Sequence, residues 1–146
     1  MSDPYNLQRF LDAQENRYGQ IRDELRSGRK RGHWIWFVFP QLTALGRSPT
    51  AIRFGIASLA EAQAYLAHPV LGPRLRECSR LLAATGGRPV TAIVDPPDDL
   101  KIRSSMTLFR AAAGDDPDSA ADFQAVLDVF YDGRPDPLTS GLLSGA

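Results

Sequence analysis

The amino-acid sequence predicts a mainly α domain, α+β with a minor β component, folded as one unit over residues 1–146. Three observations carry this prediction. Apolar residues recur at three- and four-residue spacing through most of the chain, the period of a helix with one buried face. Glycines at 28, 86, 87 and 133, with several X-Pro pairs, cut that pattern into helix-length pieces. Only 33–39 and 89–94 hold enough β-branched or aromatic residues to compete as strands. With 146 residues, 43% of them apolar, the chain fits one domain and can bury a core without staples.

Leu7, Phe10, Leu11, Tyr18, Ile21 and Leu25 predict one long amphipathic helix from about Pro4 to Ser27. Asp3-Pro4 suits its start and Gly28 its stop. Segment 33–39 reads either as a strand or as a buried helix, since it lacks clean alternation. Turns follow at Pro40, Gly46 and Ser48-Pro49, with a short helix from Pro49. Ser58-Leu59-Ala60-Glu61 is a capping box that opens a helix to about Ala67, and His68-Pro69 breaks it. Leu71, Leu75, Cys78 and Leu82 mark the next helix. Pro89 to Val94 reads as a minor strand, then Asp95 to Asp99 as a rigid acidic turn. Ile102, Met106, Phe109 and Ala113 form one face of a further helix. Phe123, Val126, Leu127 and Phe130 mark the last long one, stopped by Gly133.

Charge and cysteine content exclude several classes. The 17 basic and 17 acidic residues cancel, so no global field favours nucleic acid or an anionic membrane. Cys78 is alone, which removes an intrachain disulfide and any multi-cysteine zinc site. The N-terminus has no signal-peptide pattern, and the longest apolar run, Trp34 to Phe39, is too short for a bilayer. The reading is therefore a cytoplasmic chain without membrane or strong nucleic-acid partners.

Two constellations could carry chemistry. The first is Arg29-Lys30-Arg31-Gly32-His33-Trp34-Ile35-Trp36, three cations running into an aromatic wall. Guanidinium forks suit phosphate and aromatic faces suit a base, but a solvated turn leading into core would look the same. The second is Asp98 to Phe109. Lys101 and Ser105 share a helix face beside the apolar one, and Lys101 is one of only two lysines, the other being Lys30. Desolvation there, with Arg103 near, would favour a nucleophilic amine; a snorkelling lysine paired with Asp98 or Asp99 is the plainer alternative. Gln14 falls on the apolar stripe of the first helix, so it either pins a backbone or lines a pocket. His33 and His68 have no metal-ligand spacing, and the Walker, GxGxxG and GxSxG templates are absent, so neither metal nor cofactor is expected.

Several motifs together resemble the bacterial domain-of-unknown-function family numbered "eighteen-ten". They are Arg9-Phe10-x-x-Ala13-Gln14, the run Gly28 to Gln41, Leu45-Gly46-x-Ser48, His68-Pro69-x-Leu71-Gly72, Asp99-Leu100-Lys101 and Ser104-Ser105-Met106-Thr107-Leu108-Phe109. That family is similar in fold to the NADAR superfamily, some of whose members cleave N-glycosidic bonds of ribosylated bases. The resemblance implies a compact NADAR-like domain that binds or hydrolyses an ADP-ribose-type or phosphoribosyl ligand, a small-molecule nucleotide or ribosylated base. Under it Arg29, Lys30 and Arg31 hold phosphate, Trp34 or Trp36 stacks on a ring, and Gln14, His33 and Ser104 complete the ligand-binding set. Lys101 attacks the anomeric carbon, with Asp99 or Ser105 assisting proton transfer. The rival is a noncatalytic nucleotide- or protein-binding module, with the aromatic segment and Gln14 as core.

Overall fold

The computed structural model describes residues 3–144. Among them, nine α-helices follow one another: α1 (Gln8–Gln14), α2 (Tyr18–Ser27), α3 (Ile35–Val38), α4 (Pro49–Arg53), α5 (Leu59–Ala67), α6 (Leu71–Ala83), α7 (Asp98–Ala113), α8 (Pro117–Phe130) and α9 (Pro137–Ser144). The domain is mainly α, as its periodicity predicts. No strand forms among the described residues, and the β component is a single parallel bridge, Leu42 to Ile56. No helix among them is long and apolar enough to cross a membrane.

The centre is α7. Every side chain from Ser104 to Phe109 is buried, so the middle of this helix is enclosed on all sides, while Leu100 near its start is exposed. It packs on α5, α8, α9 and α3, while α6 joins α5, α8 and α2 in a second layer. An aromatic row crosses the core through Phe54, Phe10, Tyr65, Phe109 and Phe123, with successive centroids 5.8, 5.0, 5.2 and 6.0 Å apart. Those separations suit tilted and edge-on packing, in which ring edges meet ring faces.

Local chemistry explains where the predicted elements hold and where they change. The predicted 4–27 helix is two helices, because Asn16 takes a left-handed φ of 62° that no helix tolerates. Asp3 still serves the first of them, accepting from the Leu7 and Gln8 amides at 2.8 and 3.0 Å. Gly28, at φ 77°, ends α2 as expected. Ser58 caps α5 by accepting from the Glu61 amide at 3.1 Å. Segment 33–39 resolves as the one-turn helix α3, whose Ile35, Phe37 and Val38 are all buried.

The minor strand predicted at 89–94 is instead a 3-10 turn over Val90–Ala92. A strand needs a ladder partner, and here Val90, Ile93 and Val94 insert into the core one by one while Lys30 donates its amide to Ile93 O at 2.7 Å. Helix α9 follows Gly133 in a stretch to which the sequence pattern assigns no element. Asp136 caps it, its Oδ2 accepting from the Thr139 amide at 3.1 Å and the Thr139 hydroxyl at 2.6 Å.

Candidate functional site

The basic turn is built around an anion supplied by the chain itself. Glu24 lies on the buried side of α2, three residues after Ile21. Its Oε1 accepts the Arg31 amide at 2.6 Å, the Gly32 amide at 2.9 Å and the Trp34 indole N–H at 3.0 Å. Burial raises the Glu24 carboxyl, but these donors with Gln20 outweigh it and hold the group down to about 2. The loop that follows Gly28 thus wraps a carboxylate of its own rather than presenting its amides outward.

The cations of that turn are then distributed. Arg29 pairs with Asp95 at 2.9 Å, and Arg31 and His33 have side chains open to solvent. Lys30 turns inward. Its Nζ donates to Gly32 O at 2.6 Å, pairs with Asp98 Oδ2 at 2.9 Å and lies 5.2 Å from the centre of the Trp34 ring. Lys101 approaches the other oxygen of the same carboxylate, Asp98 Oδ1, at 3.5 Å, and sits 4.9 Å over the Trp36 ring. The two lysines of the chain therefore meet on one aspartate, each against its own tryptophan.

Beside this array opens a cleft of about 1030 Å³ between the 41–51 segment, the first turns of α7 and helix α9. Leu45, Leu100, Leu138 and Leu142 form its apolar wall. Gln41, Arg47, Ser48, Lys101, Ser104 and Asp136 supply its polar groups. The 41–46 stretch is fixed by the bridge to Ile56: Thr43 donates to Ile56 O and Ile56 to Gln41 O, both at 2.9 Å. Ser104 donates to Leu100 O at 3.0 Å and contacts Asp136 Oδ2 at 3.1 Å, tying the α9 cap to α7. Asp136 is thereby occupied. Arg47 has no ion-pair partner among the described residues. The chemistry on offer is two cations, an amide and hydroxyls facing an apolar wall, which suits an anionic small molecule. A smaller cavity of about 360 Å³ beside His68 is weaker in this respect, because its Arg76 and Arg80 both pair with Asp122.

Of the residues singled out from sequence, Lys101 and Ser104 line the cleft. Trp36 backs Lys101, and Lys30 reaches it through Asp98. Others are corrected by their surroundings. Trp34 is 1% exposed and offers no face for a ligand ring to stack on. Gln14 is 2% exposed; its Nε2 donates to Phe37 O at 2.7 Å and its Oε1 accepts from Arg74 at 3.2 Å, so it pins the end of α3. Ser105 is fully buried, with no hydrogen-bond partner for its hydroxyl and no route to the cleft wall.

Asp99 is the wrong neighbour for Lys101. Two residues along a helix turn by about 200°, so the pair points to opposite sides of α7. The Asp99 carbonyl instead accepts from the Tyr131 hydroxyl at 2.6 Å, and burial together with the Asp99 charge raises that phenol well above its usual range. Asp98, the other carboxylate the sequence offers Lys101, is the one that pairs with it. Arg29, Arg31 and His33 lie at the turn, outside the cleft lining. Sequence reasoning missed Glu24, Arg47 and the leucines of α9. Glu24 alone left a signal, a carboxylate set at helical spacing among Ile21 and Leu25. Among the described residues no cluster of His, Cys, Asp or Glu could hold a metal ion.

Comparison with known proteins adds a family and no activity. The conserved hypothetical protein Rv1873 from Mycobacterium tuberculosis, known from a crystal structure, is 54% identical, with a TM-score of 0.92 over 97% of this chain and 99% of that one. A search of the curated proteins gave no match. The description "Protein of unknown function (DUF1810)" matches residues 4–143, and the chain belongs to that family.

Proposed function

We propose that this protein binds an ADP-ribose-type or phosphoribosyl small molecule in the cleft between α7 and α9, with lysine-assisted cleavage of a ribosyl N-glycosidic bond as the reaction Lys101 would serve. The observation that carries the reading is Lys101 at the wall of the α7–α9 cleft, whose lining also holds Arg47, a cation without an ion-pair partner among the described residues. Two cations offer a phosphate its charge-assisted hydrogen bonds. Gln41 and Ser48 are of the type that binds sugar hydroxyls, and the leucines offer a base an apolar surface. The substrate class itself comes from the NADAR resemblance.

Binding has firmer support than cleavage. Lys101 has a carboxylate at 3.5 Å and an indole face at 4.9 Å, both of them partners for a cation. That observation also favours the second reading, a noncatalytic nucleotide-binding module using the same cleft. Thermal-shift titration with ADP-ribose, NAD and ribosylated guanosine tests the shared claim. A true ligand at about a hundred times its Kd should raise Tm by roughly 5–10 °C. No stabilisation by any of the three would sink the nucleotide reading. Cleavage is tested separately with Lys101→Arg, which should keep binding and lose base release. Full hydrolysis by that variant would remove the nucleophilic role and leave the binding module.

A further inference from the structure

We infer that Asp98 is a positioning residue that holds Lys101 loosely, and that Lys30 is what keeps the hold loose. The inference rests on the reading of Lys101 as the ligand-contacting cation of the cleft. Its basis is the asymmetry of the shared carboxylate. Lys30 meets Asp98 at 2.9 Å, with a side chain only 9% exposed, and Gly32 O and the Trp34 ring fix it from behind. Lys101 meets Asp98 at 3.5 Å, with a side chain 21% exposed, and faces the cleft. Asp98 is 15% exposed, so leaving it without a cation would be costly.

With Lys30 in place Asp98 stays paired whether or not Lys101 remains on it. An anion entering the cleft can then draw Lys101 away without stranding a half-buried carboxylate. Without Lys30, the same move would leave Asp98 bare. Lys30 thus acts on the cleft through Asp98, and the Glu24-centred turn acts through Lys30. Of the other charged groups around the array, Asp95 is occupied by Arg29, Glu24 by the amides of the turn and the Trp34 indole, and Asp136 by the α9 cap and Ser104, while Arg47 in the cleft lining has no carboxylate of its own among the described residues.

A chain with two lysines makes the test clean. Brief acetylation of the ligand-free protein with acetic anhydride, read by peptide mass spectrometry, reports how available the Lys101 amine is. Asp98→Asn should raise the Lys101 rate by roughly two- to fivefold, the range an ion pair of this exposure commands. Lys30→Met should lower it by a similar factor, because Asp98 then closes on Lys101 alone. Asp98→Glu should restore the order seen in the native chain. Where Lys30→Met does not fold, Lys30→Gln carries the same prediction. Affinity for ADP-ribose should move in step, tighter in Asp98→Asn and weaker in Lys30→Met. A purely structural role would loosen Lys101 in both variants. Rates that rise together, or do not move, overturn the inference. Opposite rate changes with no nucleotide binding by the native chain would keep the array and discard the ligand class.

Discussion

Glu24 accepts two backbone amides and an indole N–H in a setting that water barely reaches, so the anion at the basic turn is the chain's own carboxylate. Removing its charge should loosen the whole 28–34 turn, and Glu24→Gln should cost roughly 2–3 kcal/mol at neutral pH. The pH dependence has a definite sign. Its folded value, about 2, lies below the ordinary 4.5, so the stabilisation is complete above about pH 4.5 and fades as pH falls toward 2. Urea melts of native and Glu24→Gln protein should therefore differ at pH 7 and converge near pH 2; a constant gap would contradict the assignment. Cys78 gives a simpler check. Burial pushes its thiol up to about 12, so a thiol reagent should find it only after unfolding. Gln14 and Glu24 also mark how far residue roles were legible. Both sit on apolar stripes, which says that a polar group is buried but not what it faces. The partners, Phe37 O for one and the Arg31 and Gly32 amides with the Trp34 indole for the other, lie beyond the helix that carries each residue, and no local pattern announces them.

At the scale of elements, boundaries written in caps and glycines were readable. Ser58, Gly28 and Gly133 punctuate as their chemistry demands. What escaped depended on tertiary company: the break at Asn16, the 89–94 turn that inserts residues singly, and α9 with its Pro137 start and internal Gly141. Losing α9 from the reading meant losing one wall of the cleft. Two glycines report on how tightly the elements are set. A Cβ at Gly72 would stand 2.0 Å from Leu66 O, where α6 meets α5, so Gly72→Ala should cost about 3 kcal/mol or more in thermal or urea melts. Gly55 guards the cleft instead. A Cβ there would come within 2.6 Å of the Thr43 backbone, beside the bridge that holds Gln41. Gly55→Ala should weaken ligand binding as well as stability, whereas Gly72→Ala should lower stability with less effect on affinity, as separate titrations of the two variants would reveal.

At the scale of the molecule, the chain has zero net charge, so an anion site must rest on local cations rather than on a global field. Most arginines near the core are spoken for: Arg9 by Glu61 and four carbonyls, Arg76 and Arg80 by Asp122. Arg47 and Lys101 remain at the cleft. Asp98 joins the basic–aromatic run to the start of α7 by pairing with both Lys30 and Lys101. Most of the basic–aromatic run is thus support behind the cleft, with Gln41 alone of its residues in the lining. The most direct measurement is a calorimetric titration of ADP-ribose into native protein and Lys101→Met in parallel. A cleft that binds through Lys101 predicts saturable binding to the native chain, weakened at least about tenfold by the substitution as a charge-assisted contact is lost. Equal affinity in the two proteins, or none in the native one, would contradict it.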